Sequence, residues 1–168
     1  SGLLGKFLKS HAQKLGVIQR IDTVAQVKCR DNGDIAQLVM QSAAIVDGDF
    51  FVDCSGFKGL LINEALGEPF ISYKNNLFND RAIAIPTSLD PNEDISSETV
   101  STALSNGWVW QVPLTNRYGN GYVYASDFIS DDQAETELRR HLGAAAYDME
   151  ARRLKMRVGR IEQHWRNN

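Results

Sequence analysis

Gly107-Trp108-Val109-Trp110-Gln111-Val112-Pro113 is the stretch on which the reading of the fold turns. Residues two apart on a strand share a face, so Trp108 and Trp110 are expected to stand side by side. Pro113 closes the strand where no ladder donor is needed. Tyr122 to Ser126 answers it across a turn built from Asn116, Arg117, Tyr118, Gly119, Asn120 and Gly121, and Tyr122 and Tyr124 are expected to extend the aromatic surface. Two tryptophans commit a large apolar area to one place, which suits either the walls around a planar substrate or a packed core.

Outward from this pair the texture is that of strands and polar loops. Arg81 to Pro86 and Val100 to Leu104 read as strands, separated by a polar loop, Thr87 to Thr99, that holds Pro91. Ser130-Asp131-Asp132-Gln133 is a helix N-cap followed by acids in the first turn, and the helix it opens stops at Gly143. Leu154, Met156 and Val158 alternate with Lys155 and Arg157, as on a strand.

Towards the N-terminus, Leu3, Leu4, Phe7, Leu8 and Leu15 repeat at helical spacing and the pattern stops at Gly16, a natural C-cap. Val24 to Arg30 and Ile35 to Gln41 flank Asp31-Asn32-Gly33-Asp34, a strong hairpin signal. Asp49 to Cys54 is apolar at its centre and suggests a strand buried on both sides, as in a parallel sheet. Ser55-Gly56-Phe57-Lys58-Gly59 then turns into a short helix, Leu60 to Leu66. A strand, a glycine turn and a helix bring backbone amides close to a ligand, although any tight turn also favours glycine.

The composition fits a globular chain and excludes several classes. Its 168 residues are 43% hydrophobic, 23% charged and 9% aromatic, unlike a disordered tail or a disulfide miniprotein. The 18 basic and 21 acidic residues give a net charge of -3 without basic clustering, so no nucleic-acid footprint is present. Cys29 and Cys54 form no disulfide framework, and His11, His141 and His164 are too scattered to suggest a metal site. No apolar run approaches the ~18 residues of a membrane span. A cytoplasmic location is the expectation. Ser1-Gly2 reads as a cut end, so the chain is expected to be one piece of a larger protein.

The Trp-containing stretch closely resembles the Trp-x-Trp-x-Ile-Pro signature of flavin-dependent tryptophan halogenases, with Val112 in the isoleucine position. Asp49 to Leu61, with Asp53-Cys-Ser-Gly-Phe-Lys-Gly-Leu-Leu61, Arg117-Tyr-Gly-Asn-Gly-Tyr-Val-Tyr-Ala-Ser126, the start of the helix at Asp131-Asp132-Gln133-Ala134, and Arg157-Val-Gly-Arg160 resemble that family in the same order. The resemblance implies an α/β (α+β) fold. Residues 1–66 would be part of an FAD-binding domain, with helix, β-hairpin and strand-turn-helix. Residues 67–168 would form an antiparallel-sheet substrate side that returns to the FAD domain.

In such enzymes FAD, reduced by a separate flavin reductase, reacts with oxygen. A halide co-substrate is oxidised and then delivered to an aromatic molecule such as tryptophan or another indole. By this likeness Trp108, Trp110 and Pro113 shape the tunnel between flavin and substrate, while Ser55 and Gly56 lie near the FAD. A homodimer is compatible with the resemblance, and membrane, nucleic-acid and metal partners are not expected. The family's Gly-x-Gly-x-x-Gly turn, catalytic lysine and catalytic glutamate have no counterparts among the matching motifs, so no catalytic residue is expected in this chain. Alone, it is expected to be inactive. Two alternatives stay open: an aromatic hydroxylase of the same flavoprotein-monooxygenase superfamily, and a non-catalytic module that binds an aromatic ligand.

Overall fold

The computed structural model describes residues 2–90, 92 and 94–168, so Ser1 and the loop's Pro91 lie outside the described residues. The chain divides into two compact units, residues 1–67 with 165–168, and residues 68–164.

The first unit opens with helix α1, Gly2–Lys14. Gly16 ends it with φ 92, while Val17 N–H reaches back to the Ala12 carbonyl and Gly16 N–H to that of Gln13. These two bonds are the Schellman arrangement that a left-handed residue permits. Strands β1, Val24–Cys29, β2, Ile35–Met40, and β3, Ile45–Asp47, follow as an antiparallel sheet in the order β1-β2-β3. Gly33, at φ 90, supplies the turn of the expected hairpin.

Asp49 to Cys54 is not a strand. Phe50 and Val52 are 54% and 72% exposed, and no strand among the described residues pairs with the run. Apolar composition alone cannot make a strand, because extended backbone needs a neighbour for its N–H and C=O groups. Phe50 packs on Trp165, ring centroids 5.1 Å apart, and the polar end of the run is gathered by Asp53. The expected helix after the glycine turn is present as a π-helical segment, Leu60–Ala65. Glu64 N–H bonds to the Gly59 carbonyl and Leu66 N–H to that of Leu61, both five residues back.

The second unit holds a two-stranded pair, β4, Phe70–Ser72, with β10, Gly159–Ile161, and a five-stranded antiparallel sheet. Its strands are β5, Arg81–Thr87, β6, Val100–Leu104, β7, Gly107–Pro113, β8, Tyr118–Tyr124, and β9, Arg152–Lys155, ordered β6-β7-β8-β5-β9. Strand β8 begins at Tyr118, inside the stretch read as a turn. Its glycines are ladder residues, and the reversal is confined to the bond from Leu114 N–H to the Arg117 carbonyl.

Helix α2, Asp131–Leu142, covers one face of this sheet. Ser130 and Gln133 form a reciprocal capping box at its start, which satisfies backbone donors that the first turn leaves free. Ala134 and Leu138 pack with Ile83, Ile85, Val109, Tyr122 and Tyr124 to make the core.

Candidate functional site

Directly opposed residues of an antiparallel sheet share a face. Trp110 lies opposite Gly121, which lies opposite Ala84, and Ala84 opposite Arg152. The neighbouring rows on that face are Trp108, Val123 and Ala82 on one side, and Val112, Gly119 and Pro86 on the other. The two tryptophans therefore stand together as expected, their ring centroids 6.1 Å apart and their planes inclined by 60°. Around them the face carries glycines, alanines, Pro86 and two valines, and Trp108 is 41% exposed. Pro113 ends β7 opposite Tyr118. Beside Trp110 opens a groove of about 750 Å³ lined by Ala84, Pro86, Arg117, Gly119 and Arg152.

Tyr122 and Tyr124 do not extend this aromatic surface. They lie opposite Val109 and Gly107, on the other face, with ring centroids 5.4 Å apart in the core. One residue of offset decides it, because the side-chain period of a strand is two. The Tyr122 hydroxyl donates to Glu137 Oε2 at 2.9 Å and accepts from Asn106 N–H, and the Tyr124 hydroxyl donates to Asp131 at 2.8 Å. Burial pushes the Tyr122 phenol up to about 12, and burial together with the Asp131 carboxylate pushes Tyr124 up as well. Neither phenol is a candidate acid or base near neutral pH.

Ser55 and Gly56 belong to the other compact unit. Gly56 has φ 68, and a Cβ there would meet nothing within 4 Å, so its backbone is open to approach. The Ser55 hydroxyl is more committed than its sequence suggested. It donates to Asp53 Oδ1 at 2.6 Å and accepts from Leu60 N–H at 2.8 Å. Asp53 Oδ1 also accepts from Ser55 N–H at 3.0 Å, while its Oδ2 accepts from Leu61 N–H at 2.8 Å and Ile62 N–H at 3.0 Å. Although partial burial opposes ionisation, these bonds prevail and hold the Asp53 carboxyl below its ordinary value. The sequence reading did not single out Asp53 as the residue that organises this turn. An acid two residues before the serine of a turn is the one signal that pointed to it.

Lys74 lies 3.0 Å from Asp127 and 3.4 Å from buried Asp80, and Lys58 lies 3.9 Å from Glu64. Among the described residues no three His, Cys, Asp or Glu side chains are grouped to hold a metal ion, and no helix is long and apolar enough to cross a membrane. Cys29 and Cys54 are free and exposed.

Element content and connectivity define a mixed α/β protein with antiparallel sheets. Over its whole length, residues 1–168, the chain matches the family described as tryptophan halogenase, and it belongs to that family. It is 44% identical over 169 residues to tryptophan 6-halogenase SttH of Streptomyces toxytricini, covering 100% of this chain and 32% of that protein. Identity to tryptophan 7-halogenase RebH of Lentzea aerocolonigenes is 38% over 169 residues, 99% of this chain and 32% of RebH. The crystal structure of SttH is similar with a TM-score of 0.95 at 45% identity, over 99% of this chain and 33% of that one. The tryptophan halogenase of Shewanella frigidimarina NCIMB 400 gives 0.89 at 42% identity, over 98% and 32%. The chain thus spans about a third of the length of the curated relatives it matches.

Proposed function

We propose that this chain contributes the tunnel wall and one flavin-side turn of a flavin-dependent halogenase acting on an indole such as tryptophan. The observation that carries the reading is the pair of indoles, Trp108 and Trp110, standing together on one face beside the low positions Gly119, Gly121 and Ala84. Rigid rings above a low floor leave room for a narrow passage beside them and bar a second large ring from crossing it. Pro113 fixes where that wall ends. The wall's work is exclusion: the organic substrate is kept from the cofactor, so that halide is what reacts.

Residues 1–66 belong, in this proposal, to the FAD-binding domain, and residues 67–168 to the substrate side returning to it. The turn fits a flavin in one respect that the geometry makes concrete, since the Gly56 backbone is bare and open. Ser55 has spent its proton on Asp53, so toward a ligand it can only accept a hydrogen bond. Bound FAD, reduced by a separate reductase, would supply the electrons that bring oxygen to the peroxide level, at which it can oxidise the halide. The lysine and glutamate of the reaction are assigned to the rest of the longer protein, and a cytoplasmic location is proposed from the two free cysteines.

The test supplies reduced FAD, bromide and tryptophan in parallel to this chain and to the full-length enzyme. Brominated indole is expected from the full-length enzyme alone. Product from the short chain, or none from the long one, overturns the proposal. In a third arm Trp108→Ala with Trp110→Ala opens the wall and is expected to lower brominated product sharply at unchanged flavin affinity.

A further inference from the structure

We infer that Asp53 is a positioning residue for the flavin-side turn, setting the Ser55-Gly56 backbone in the shape a flavin meets. This rests on the assignment of that turn to the flavin side. The π-helical segment Leu60–Ala65 begins with three consecutive amides, of Leu60, Leu61 and Ile62, that have no carbonyl within the segment to bond to. All three are satisfied from the turn before them. Asp53 Oδ2 takes Leu61 and Ile62, and Ser55 Oγ takes Leu60. The other carboxylate oxygen of Asp53 holds Ser55 twice, through its amide and its hydroxyl.

One carboxylate thus ties residue 55 to residues 61 and 62 and closes the loop around Gly56. Gly56 has φ 68 and no neighbour within 4 Å of a Cβ, and apart from the Asp53 ties the turn is held by the bond its carbonyl accepts from Gly59 N–H at 3.2 Å. The segment it faces is itself unusual, because wide i to i+5 turns recur at functional sites. Gly59, at φ 56, is held on its far side by Asn63, whose side chain occupies the space a Cβ would need. The bonds of Asp53 are all local, between residues 53 and 62, so its loss should loosen this loop and leave the two sheets intact.

In the full-length enzyme, Asp53→Asn keeps one acceptor oxygen and replaces the other with an NH₂ group that cannot accept, so either Ser55 or the Leu61 and Ile62 amides lose their acceptor. FAD affinity is expected to fall about tenfold, the size of losing one charge-assisted bond at the low end of its range, while tryptophan affinity and the melting temperature without flavin hold. A purely structural role would lower all three together, and that outcome, or FAD binding within about twofold of the parent, overturns the inference. Gly56→Val separates it from the reading it rests on. If Gly56→Val weakens FAD and Asp53→Asn does not, only the role of Asp53 fails; if neither weakens it, the flavin-side assignment fails. Should Asp53→Asn not fold, amide exchange in the unmutated enzyme decides. The Leu61 and Ile62 amides are expected to exchange more slowly once FAD is added, and unchanged exchange overturns the inference.

Discussion

Gly121 carries no side chain because Trp110 occupies the space above it. A Cβ at Gly121 would overlap the Cη2 and Cζ2 atoms of the Trp110 ring. Its φ is not positive, so the requirement is for room and not for backbone freedom. The sequence supplied both residues without the relation between them: Gly121 looked like the end of a turn until the register set it opposite Trp110. Gly121→Ala is therefore expected to push the Trp110 ring off the sheet at a cost of about 1–3 kcal/mol, the usual range for overpacking. Urea unfolding measures the cost, and the near-ultraviolet circular dichroism of the tryptophans reports the displaced ring. A variant with parental stability and an unchanged spectrum would show that the ring does not rest on Gly121.

At the scale of elements, the parts that announce themselves in sequence are those fixed by local chemistry. The Asn32-Gly33 hairpin, the Gly16 stop and the Ser130 capping box each depend on a few neighbouring residues, and each is present. What depends on distant partners was not legible. The faces of Tyr122 and Tyr124 follow from the pairing register of β7 with β8, which no spacing within one strand encodes. The tie between α2 and β9 is of the same kind. Arg153 reaches Asp132 at 2.7 Å and Glu135 at 2.8 Å, and Arg139 reaches Glu135 at 2.8 Å.

The Arg153 and Arg139 guanidiniums hold the Glu135 carboxyl below its ordinary 4.5. A carboxyl depressed by folding contributes stability above its unfolded value and loses it as pH falls through the folded one. The stability held by Glu135 should thus be fully present at neutral pH and decline below about 4.5. Glu135→Gln removes that titration, so stability between pH 5 and pH 3 should fall less steeply than in the parent, by about the slope of one group. Identical slopes in urea titrations across this range would show that Glu135 does not carry the linkage.

Over the whole molecule, the second unit has a sealed core and the first does not. Tyr122, Ile83, Ile85 and Leu138 are fully buried, whereas α1 has no buried residue and Leu3, Leu4, Phe7 and Leu8 are exposed. The amphipathic spacing of α1 was plain in the sequence, but spacing shows only that a helix has an apolar face and not what covers it. The same holds for Val52 and, beyond its contact with Trp165, for Phe50, whose apolar run suggested a strand buried on both sides and is largely exposed. The chain spans about a third of its relatives' length, and in a protein of that length these faces are open to be covered by other segments. Contiguous exposed apolar surface binds hydrophobic dyes and promotes association. This chain alone is expected to bind anilinonaphthalene sulfonate and to self-associate in light scattering, and Leu4→Glu with Leu8→Glu should reduce both. In the full-length enzyme the same pair should lower stability, by about 1.5–3 kcal/mol for each apolar side chain denied burial. If the short chain is monomeric and dye-free, or the full-length enzyme tolerates both glutamates without loss, the apolar face of α1 belongs to solvent and not to the rest of the protein.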